Sequence, residues 1–89
     1  MPQMSRNDII ATISDAGQQR KTLWIRAFER DGSIEPREVE PYSFRPKGST
    51  ERFYFYCLRH LGTRNFLVNN IIEVQITDNS FNPRYEVEF

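Results

Sequence analysis

The chain has 89 residues and a formal net charge of zero. A chain of this length buries about 60–65% of the surface that its unfolded form exposes, so it holds one small core. We therefore expect one domain over residues 1–89. Aromatic residues make up 13% and charged residues 27% of the sequence, which is typical of a folded domain rather than a disordered segment. A neutral chain has no general attraction to nucleic acid or to an anionic membrane, so such binding would depend on a local patch.

The single cysteine, Cys57, excludes an internal disulfide and indicates a reducing compartment. The N-terminus MPQMSRNDII lacks the apolar run of a signal peptide, and no stretch approaches the roughly 18 apolar residues of a membrane span. We expect a cytoplasmic protein without a membrane partner. Cys57 and His60 are predicted to face opposite ways, which excludes a Cys–His catalytic pair. With no other acid–base or metal-ligand grouping, we expect neither an enzyme nor a metal or cofactor.

The first predicted element is a short helix over residues 5–16. Ser5 is a candidate N-cap, and Asp8 adds negative charge to the first turn. The isoleucines at positions 9, 10 and 13 form one apolar stripe, which needs a surface to pack on. Gly17 is expected to end the helix.

The next segment, residues 21–30, alternates between two sets of side chains and predicts a strand. The inner set is Leu23, Ile25 and Ala27, and the outer set is Trp24, Arg26 and Phe28. Trp24 either contacts a partner or packs under the C-terminal tail. Asp31-Gly32 is a turn dipeptide that predicts a hairpin.

Residues 36–44 carry Pro36 and Pro41, which donate no ladder hydrogen bonds, so they predict an edge or kinked strand. Within this strand, Arg37 can pair with Glu38 or Glu40. Further strands are predicted over residues 52–58, 64–68 and 71–77, with a turn at Gly62 and a final edge strand at residues 85–89.

This order of elements predicts a mainly β fold, a small five-stranded barrel over about residues 20–89 with the helix across one open end. The predicted interior consists of Leu23, Ile25, Val39, Phe53, Phe55, Ile72, Val74 and Ile76. Cys57 is expected to be a buried, unreactive thiol, because it shares the face of Phe53 and Phe55.

The opposite face of the strand over residues 52–58 carries Arg52, Tyr54 and Tyr56. Guanidinium groups bind phosphates through two donors, and aromatic rings stack on bases. This face is therefore a candidate ligand surface, which Arg64 from the next strand shares if the register permits.

The order of segments resembles the WYL domain. Phe53-Tyr54-Phe55 stands where that family has its Trp-Tyr-Leu triplet and keeps the tyrosine. Arg37 and Pro41-Tyr42 match the upstream Arg-to-Pro stretch, and Arg64-x-Phe66 matches the family's Arg-x-Phe. Residues 67–71 match the end of the pattern, and the resemblance covers about three quarters of the chain.

The resemblance implies a small Sm-like barrel, similar to the Src-homology-three barrel. Such domains usually follow a helix-turn-helix in bacterial transcription regulators, where they act as sensors, and some bind single-stranded nucleic acid or nucleotides. The sequence leaves no room for a helix-turn-helix before Thr22, so we expect a free-standing domain that passes its signal to a partner. Asn70 replaces the family's arginine before an isoleucine, and Ala27 replaces a frequent aromatic. Both places help to line the family's ligand pocket.

The candidate ligand contacts are Arg64, Tyr54, Arg52, Arg26, Arg59 and Tyr42. Arg64 matches the family motif, and its alternative role is a solvated side chain or an ion pair with Glu73. Tyr54 and Tyr42 have structural alternatives as barrel-wall residues.

Two functions remain open. The first is a ligand-sensing WYL module that binds a nucleic acid or nucleotide-like anion in transcription regulation or phage defence. The second is a protein–protein interaction or assembly module with a degenerate pocket, with a partner protein or a second copy as its target. Asn70 and the balanced charge favour the second.

Overall fold

The computed structural model describes residues 4–89, with Lys47 described by its backbone alone. Helix α1 spans Arg6–Gln19. Ser5 is its N-cap as predicted, since its hydroxyl oxygen accepts a hydrogen bond from the backbone N–H of Asp8 at 3.1 Å. Ile9 and Ile13 are buried. The helix packs on the sheet and has no separate core.

The prediction that Gly17 ends the helix is wrong. Helix α1 continues to Gln19, and Arg20 caps it in the left-handed conformation, with φ 56°. Gly17 lies within the helix, and the ring of Phe89 lies against it. A Cβ at this position would come within 2.2 Å of Phe89 Cδ2. The glycine therefore permits a close approach and does not serve as the cap.

Five antiparallel strands form one sheet, in the spatial order β4-β3-β2-β1-β5. Their bounds are Lys21–Ala27 for β1, Arg37–Lys47 for β2, Thr50–Cys57 for β3, Gly62–Leu67 for β4 and Ile71–Ser80 for β5. The 3-10 helix Val68–Asn70 joins β4 to β5. The predicted mainly β fold, with five strands and one N-terminal helix, is confirmed, but the barrel is not closed, because β4 and β5 are not paired with each other.

The proline-bearing strand β2 is central in the sheet and kinked. It pairs with β1 only at Arg37–Val39 and with β3 from Val39 to Lys47. The register with β3 shifts between Pro41 and Ser43, which is a bulge that a proline tolerates. The kinked alternative is therefore confirmed, and an edge position is wrong for the strand as a whole.

The core follows the predicted alternation with one exception. Leu23, Ile25, Val39, Phe53, Phe55 and Val74 are buried, and Ile76 packs against them while partly exposed. Ile72 is partly exposed, whereas Ile71 is fully buried. The β1–β5 register shifts between Arg26 and Ala27. The resulting bulge reverses the inward-facing side at the start of β5.

The C-terminal tail, residues 81–89, is not the predicted edge strand. It is irregular. It lies against β2 instead, where the N–H of Glu88 donates to the carbonyl of Tyr42 at 2.8 Å. Arg84 holds it further, with Nε 3.1 Å from Glu40 Oε1 and its guanidinium 4.0 Å above the ring centre of Tyr56.

Candidate anion-binding cleft

The register between β3 and β4 separates Arg64 from Tyr54. Arg64 lies opposite Phe55, and Asn65 lies opposite Tyr54. Directly opposed residues in an antiparallel pair share a face, so Arg64 and Tyr54 lie on opposite faces of the sheet. The shared face of Arg52, Tyr54 and Arg64 was possible only if the register permitted it, and the observed register does not.

A cleft of about 650 Å³ lies between the β1–β2 hairpin and the strand β4 with its following 3-10 helix. Four arginines line it: Arg30, Arg37, Arg52 and Arg64. Among the described residues, Glu29 is the one carboxylate in the lining. Phe28, Phe66 and Leu67 supply apolar wall. Cationic donors beside aromatic rings are the groups that bind an anion carrying a planar base. We name this site the arginine cleft.

Arg64 provides uncompensated charge in the arginine cleft. Its side chain is exposed and makes no ion pair or hydrogen bond with another residue of the described chain. The alternative partner, Glu73, pairs instead with Arg26 across β1 and β5. A free guanidinium at the cleft is available to a ligand.

Arg37 is the buried cation of the cleft, with 4% of its side chain exposed. Its guanidinium nitrogen lies 3.1 Å from Glu29 Oε1 and 3.7 Å from Glu35 Oε2, and its Cζ lies 5.4 Å from the ring centre of Phe66. The predicted pairing with Glu38 or Glu40 is wrong, because Arg37 lies opposite Ile25 on the inner face of the sheet.

Arg52 is held at the cleft by Asn65 of the neighbouring strand. Its guanidinium donates to Asn65 Oδ1 at 2.7 Å, while its Nε is buried without a hydrogen-bond partner in the described chain. Asn70 lines the cleft and is exposed. The arginine that the family resemblance led us to expect at position 70 would have added a further cation at this wall.

Tyr42 and Tyr54 lie at a separate hollow of about 400 Å³ on the outer face, between β2, β3 and the tail. Tyr42 is buried; its hydroxyl donates to Glu40 Oε1 at 2.7 Å and accepts from the N–H of Arg84 at 2.9 Å. Burial is the main cause that raises the pKa of Tyr42 to about 12, and the hydrogen bond to Glu40 adds to it. These contacts are consistent with the structural alternative for Tyr42.

Arg26 and Arg59 lie outside the arginine cleft. Arg26 pairs with Glu73 on the outer face, and Arg59 Nη1 lies 3.1 Å from Glu35 Oε1. His60 Nε2 lies 3.4 Å from the same Glu35 oxygen. Cys57 is buried as predicted, and the nearest charged group is Arg37, with Nη1 3.9 Å from Sγ. Its low reactivity remains a prediction.

Arg30 and Arg37 are cleft residues that the candidate list did not include. Arg37 was detectable, because Val39 was predicted to face inward and residues two apart on a strand share a face. Arg30 sits in the hairpin turn, where alternation gives no side-chain direction. Within residues 4–89 no cluster of three or more metal-ligating side chains occurs, and no helix there is long and apolar enough to cross a membrane.

The family model for the WYL domain matches residues 8–76. The chain belongs to the WYL domain family. Among solved structures, this WYL domain is similar to proteasome accessory factor B/C of Arthrobacter aurescens, with a TM-score of 0.78 and 22% identity. The match covers 90% of this chain and 13% of that one, and at this identity it shows the fold alone. No curated protein sequence matches the chain.

The two departures from the family pattern differ in consequence. Ala27 is buried in the core, but its neighbour Phe28 lines the arginine cleft, so the cleft retains an aromatic wall there. Asn70 leaves the 3-10 helix without the cation that the family resemblance led us to expect there. Arg30 enters the cleft from the hairpin and supplies positive charge from a different element.

Proposed function

We propose that this WYL domain is a ligand-sensing regulatory module that binds a single-stranded nucleic acid or nucleotide in the arginine cleft. Membership of the WYL family supports the regulatory role. The observation that carries the ligand class is the set of four arginines around the cleft, facing a single carboxylate. Arg64, with no partner in the described chain, and Arg52 are the proposed phosphate contacts from the candidate list.

The aromatic residues of the cleft favour a base-bearing anion over inorganic phosphate alone. Phe28 is 45% exposed and lines the cleft with Phe66, so it offers a ring face for stacking. A protein of zero net charge would bind weakly through such a site, because only local cations attract the ligand. Ligand occupancy would be passed to a partner protein in transcription regulation.

Fluorescence anisotropy with a labelled short oligothymidylate, at several salt concentrations, tests this proposal. Two or three phosphate contacts predict a slope of log affinity against log salt of about −1.4 to −2. A mixed-sequence duplex of the same length is the control for non-specific attraction. Absence of binding at low salt would refute the nucleic-acid proposal.

A second candidate is a protein interaction module, which three exposed apolar side chains of β1 and its hairpin favour. Trp24, Phe28 and Ile34 are 43%, 45% and 41% exposed, and Phe28 pairs with Ile34 at the end of the hairpin. Large exposed apolar side chains on one surface are typical of interaction sites. Light scattering over a range of concentrations tests self-association, and Trp24→Ser should abolish it if this face is the interface.

A further inference from the structure

The arginine cleft contains an anion of its own. Glu29 and Arg37 both line the cleft, and Glu29 Oε1 lies 3.1 Å from the Arg37 guanidinium. A carboxylate in that position makes the contact that a ligand oxyanion would make. Glu29 therefore occupies the place on Arg37 that a bound phosphate would take.

The pair between Glu29 and Arg37 is incomplete. Glu29 Oε2 and Arg37 Nε are both buried and lack a hydrogen-bond partner in the described chain. A buried polar atom without a partner costs free energy, so the contact is not optimised as a permanent ion pair. Only the Glu29 side chain needs to rotate to expose Arg37. Its backbone is fixed by the hairpin, with the N–H of Glu29 donating to Ser33 O at 2.7 Å and the N–H of Gly32 donating to Glu29 O at 3.0 Å.

Glu35 provides the contrast. Its carboxylate also approaches Arg37, at 3.7 Å, but it is held by Arg59 at 3.1 Å and His60 at 3.4 Å. It does not line the cleft. Glu35 therefore retains Arg37 through Nη2 when Glu29 moves away, and Nε, which has no hydrogen-bond partner in the described chain, can donate to a ligand.

We propose that Glu29 is a displaceable carboxylate that masks Arg37, and that the cleft selects ligands with a terminal phosphate because such a phosphate can displace it. This rests on the proposed function of the cleft. An internal phosphodiester carries one charge and would exchange for a tethered carboxylate of equal charge, with no gain. A terminal phosphate carries about −1.5 to −2 charge and three acceptor oxygens, so it can bind Arg37 and still offer oxygens to another arginine of the cleft.

The experiment compares a short oligothymidylate carrying a 5′-phosphate with the same oligothymidylate ending in a 5′-hydroxyl. Both are titrated against the wild type, Glu29→Gln and the matched control Glu35→Gln. The wild type should bind the phosphorylated form about tenfold more tightly, the value of one charge-assisted contact. Glu29→Gln should bind the hydroxyl form more tightly than the wild type does, so that the preference shrinks. Glu35→Gln should keep the wild-type preference.

Equal wild-type affinity for the two oligonucleotides would overturn the inference and leave the proposed function intact. An unchanged preference for the phosphorylated form in Glu29→Gln would have the same consequence. Binding of neither form refutes both. If Glu29→Gln does not fold, as judged by circular dichroism, the test rests on measurements of the wild type alone. The Arg37 Nε–Hε resonance should shift on addition of the phosphorylated oligonucleotide and stay in place with the hydroxyl form; identical shifts would refute the proposal.

Discussion

The ring of Phe89 lies on Gly17, so closely that a Cβ on the glycine would come within 2.2 Å of Phe89 Cδ2. The contact joins Phe89 to the last turn of helix α1. It also lies beside Phe44, whose ring centre is 5.3 Å from that of Phe89. The tail is therefore held to the helix by shape, in addition to its hydrogen bonds with β2.

Gly17→Ala should have opposite effects in two backgrounds. In the wild type the substitution should lower the free energy of unfolding by about 1 kcal/mol or more, because the added methyl group displaces the Phe89 ring from its packed position. In a Phe89→Ala background the clash is absent, and alanine should stabilise by about 0.5–1 kcal/mol through helix propensity. Urea unfolding of the four proteins measures the coupling. Stabilisation in both backgrounds would mean that the ring moves aside at no cost.

Phe55→Ala should destabilise the domain by about 3–5 kcal/mol, because Phe55 is fully buried and the sheet closes only partly around the resulting cavity. Leu61→Ala is the matched control. Leu61 is 73% exposed, and its change should stay within about 0.5 kcal/mol. Chemical unfolding gives both values. A loss below about 1 kcal/mol for Phe55→Ala would contradict the central place of this ring in the core.

Tyr42 should make stability fall at alkaline pH. Burial raises its pKa from an ordinary 10.0 to about 12 in the folded protein. The unfolded chain therefore loses this proton first, and the stabilisation by the neutral phenol is complete below pH 10 and disappears as the pH rises towards 12.

Over that interval the free energy of unfolding should fall more steeply for the wild type than for Tyr42→Phe, which has no phenol to ionise at this site. Urea titrations across the interval provide the measurement. Parallel curves for the wild type and Tyr42→Phe would contradict the linkage.

Arg64→Ala should reduce the salt dependence of oligonucleotide binding by one phosphate contact, or about 0.7 in the log–log slope. Arg6→Ala is a suitable control, because Arg6 is also an exposed arginine but pairs with Glu51 at 3.4 Å and does not line the cleft. Its slope should match the wild type. An unchanged slope for Arg64→Ala would place the bound phosphates elsewhere.

Tyr54→Ala tests which surface stacks the bases. Tyr54 lies at the outer hollow, away from the arginine cleft, so binding in the cleft predicts an affinity close to that of the wild type. Stacking on Tyr54, the role the family triplet suggested, would instead lower affinity by about 1–3 kcal/mol. The same anisotropy titration distinguishes the two surfaces.

The features that depend on local pattern were predictable from the sequence. Period-two alternation correctly gave the inner faces of β1 and β3, and Asp31-Gly32 correctly gave the hairpin. Both signals follow from backbone geometry within a few residues. Arg37 was also accessible to the same reasoning, since its face is fixed by Val39.

The features that depend on pairing between distant segments were not predictable. The register of β4 on β3, which separates Arg64 from Tyr54, is set by the turn between them. The bulge that buries Ile71 in place of Ile72 reflects the β1–β5 pairing. The need for a glycine at position 17 comes from the contact with Phe89, which lies 72 positions later in the sequence. No local rule for glycine predicts that contact.

The open barrel leaves two strands with one unpaired side, β4 and β5, and such edges are templates for aggregation. The start of β5 is protected by Met4, which precedes the N-cap Ser5. The N–H of Met4 donates to Ile72 O at 3.1 Å, and the N–H of Val74 is directed at Met4 Sδ, 3.3 Å away. One methionine thus supplies both a donor and an acceptor to this edge. Oxidation of its thioether to a sulfoxide would change the group that faces Val74.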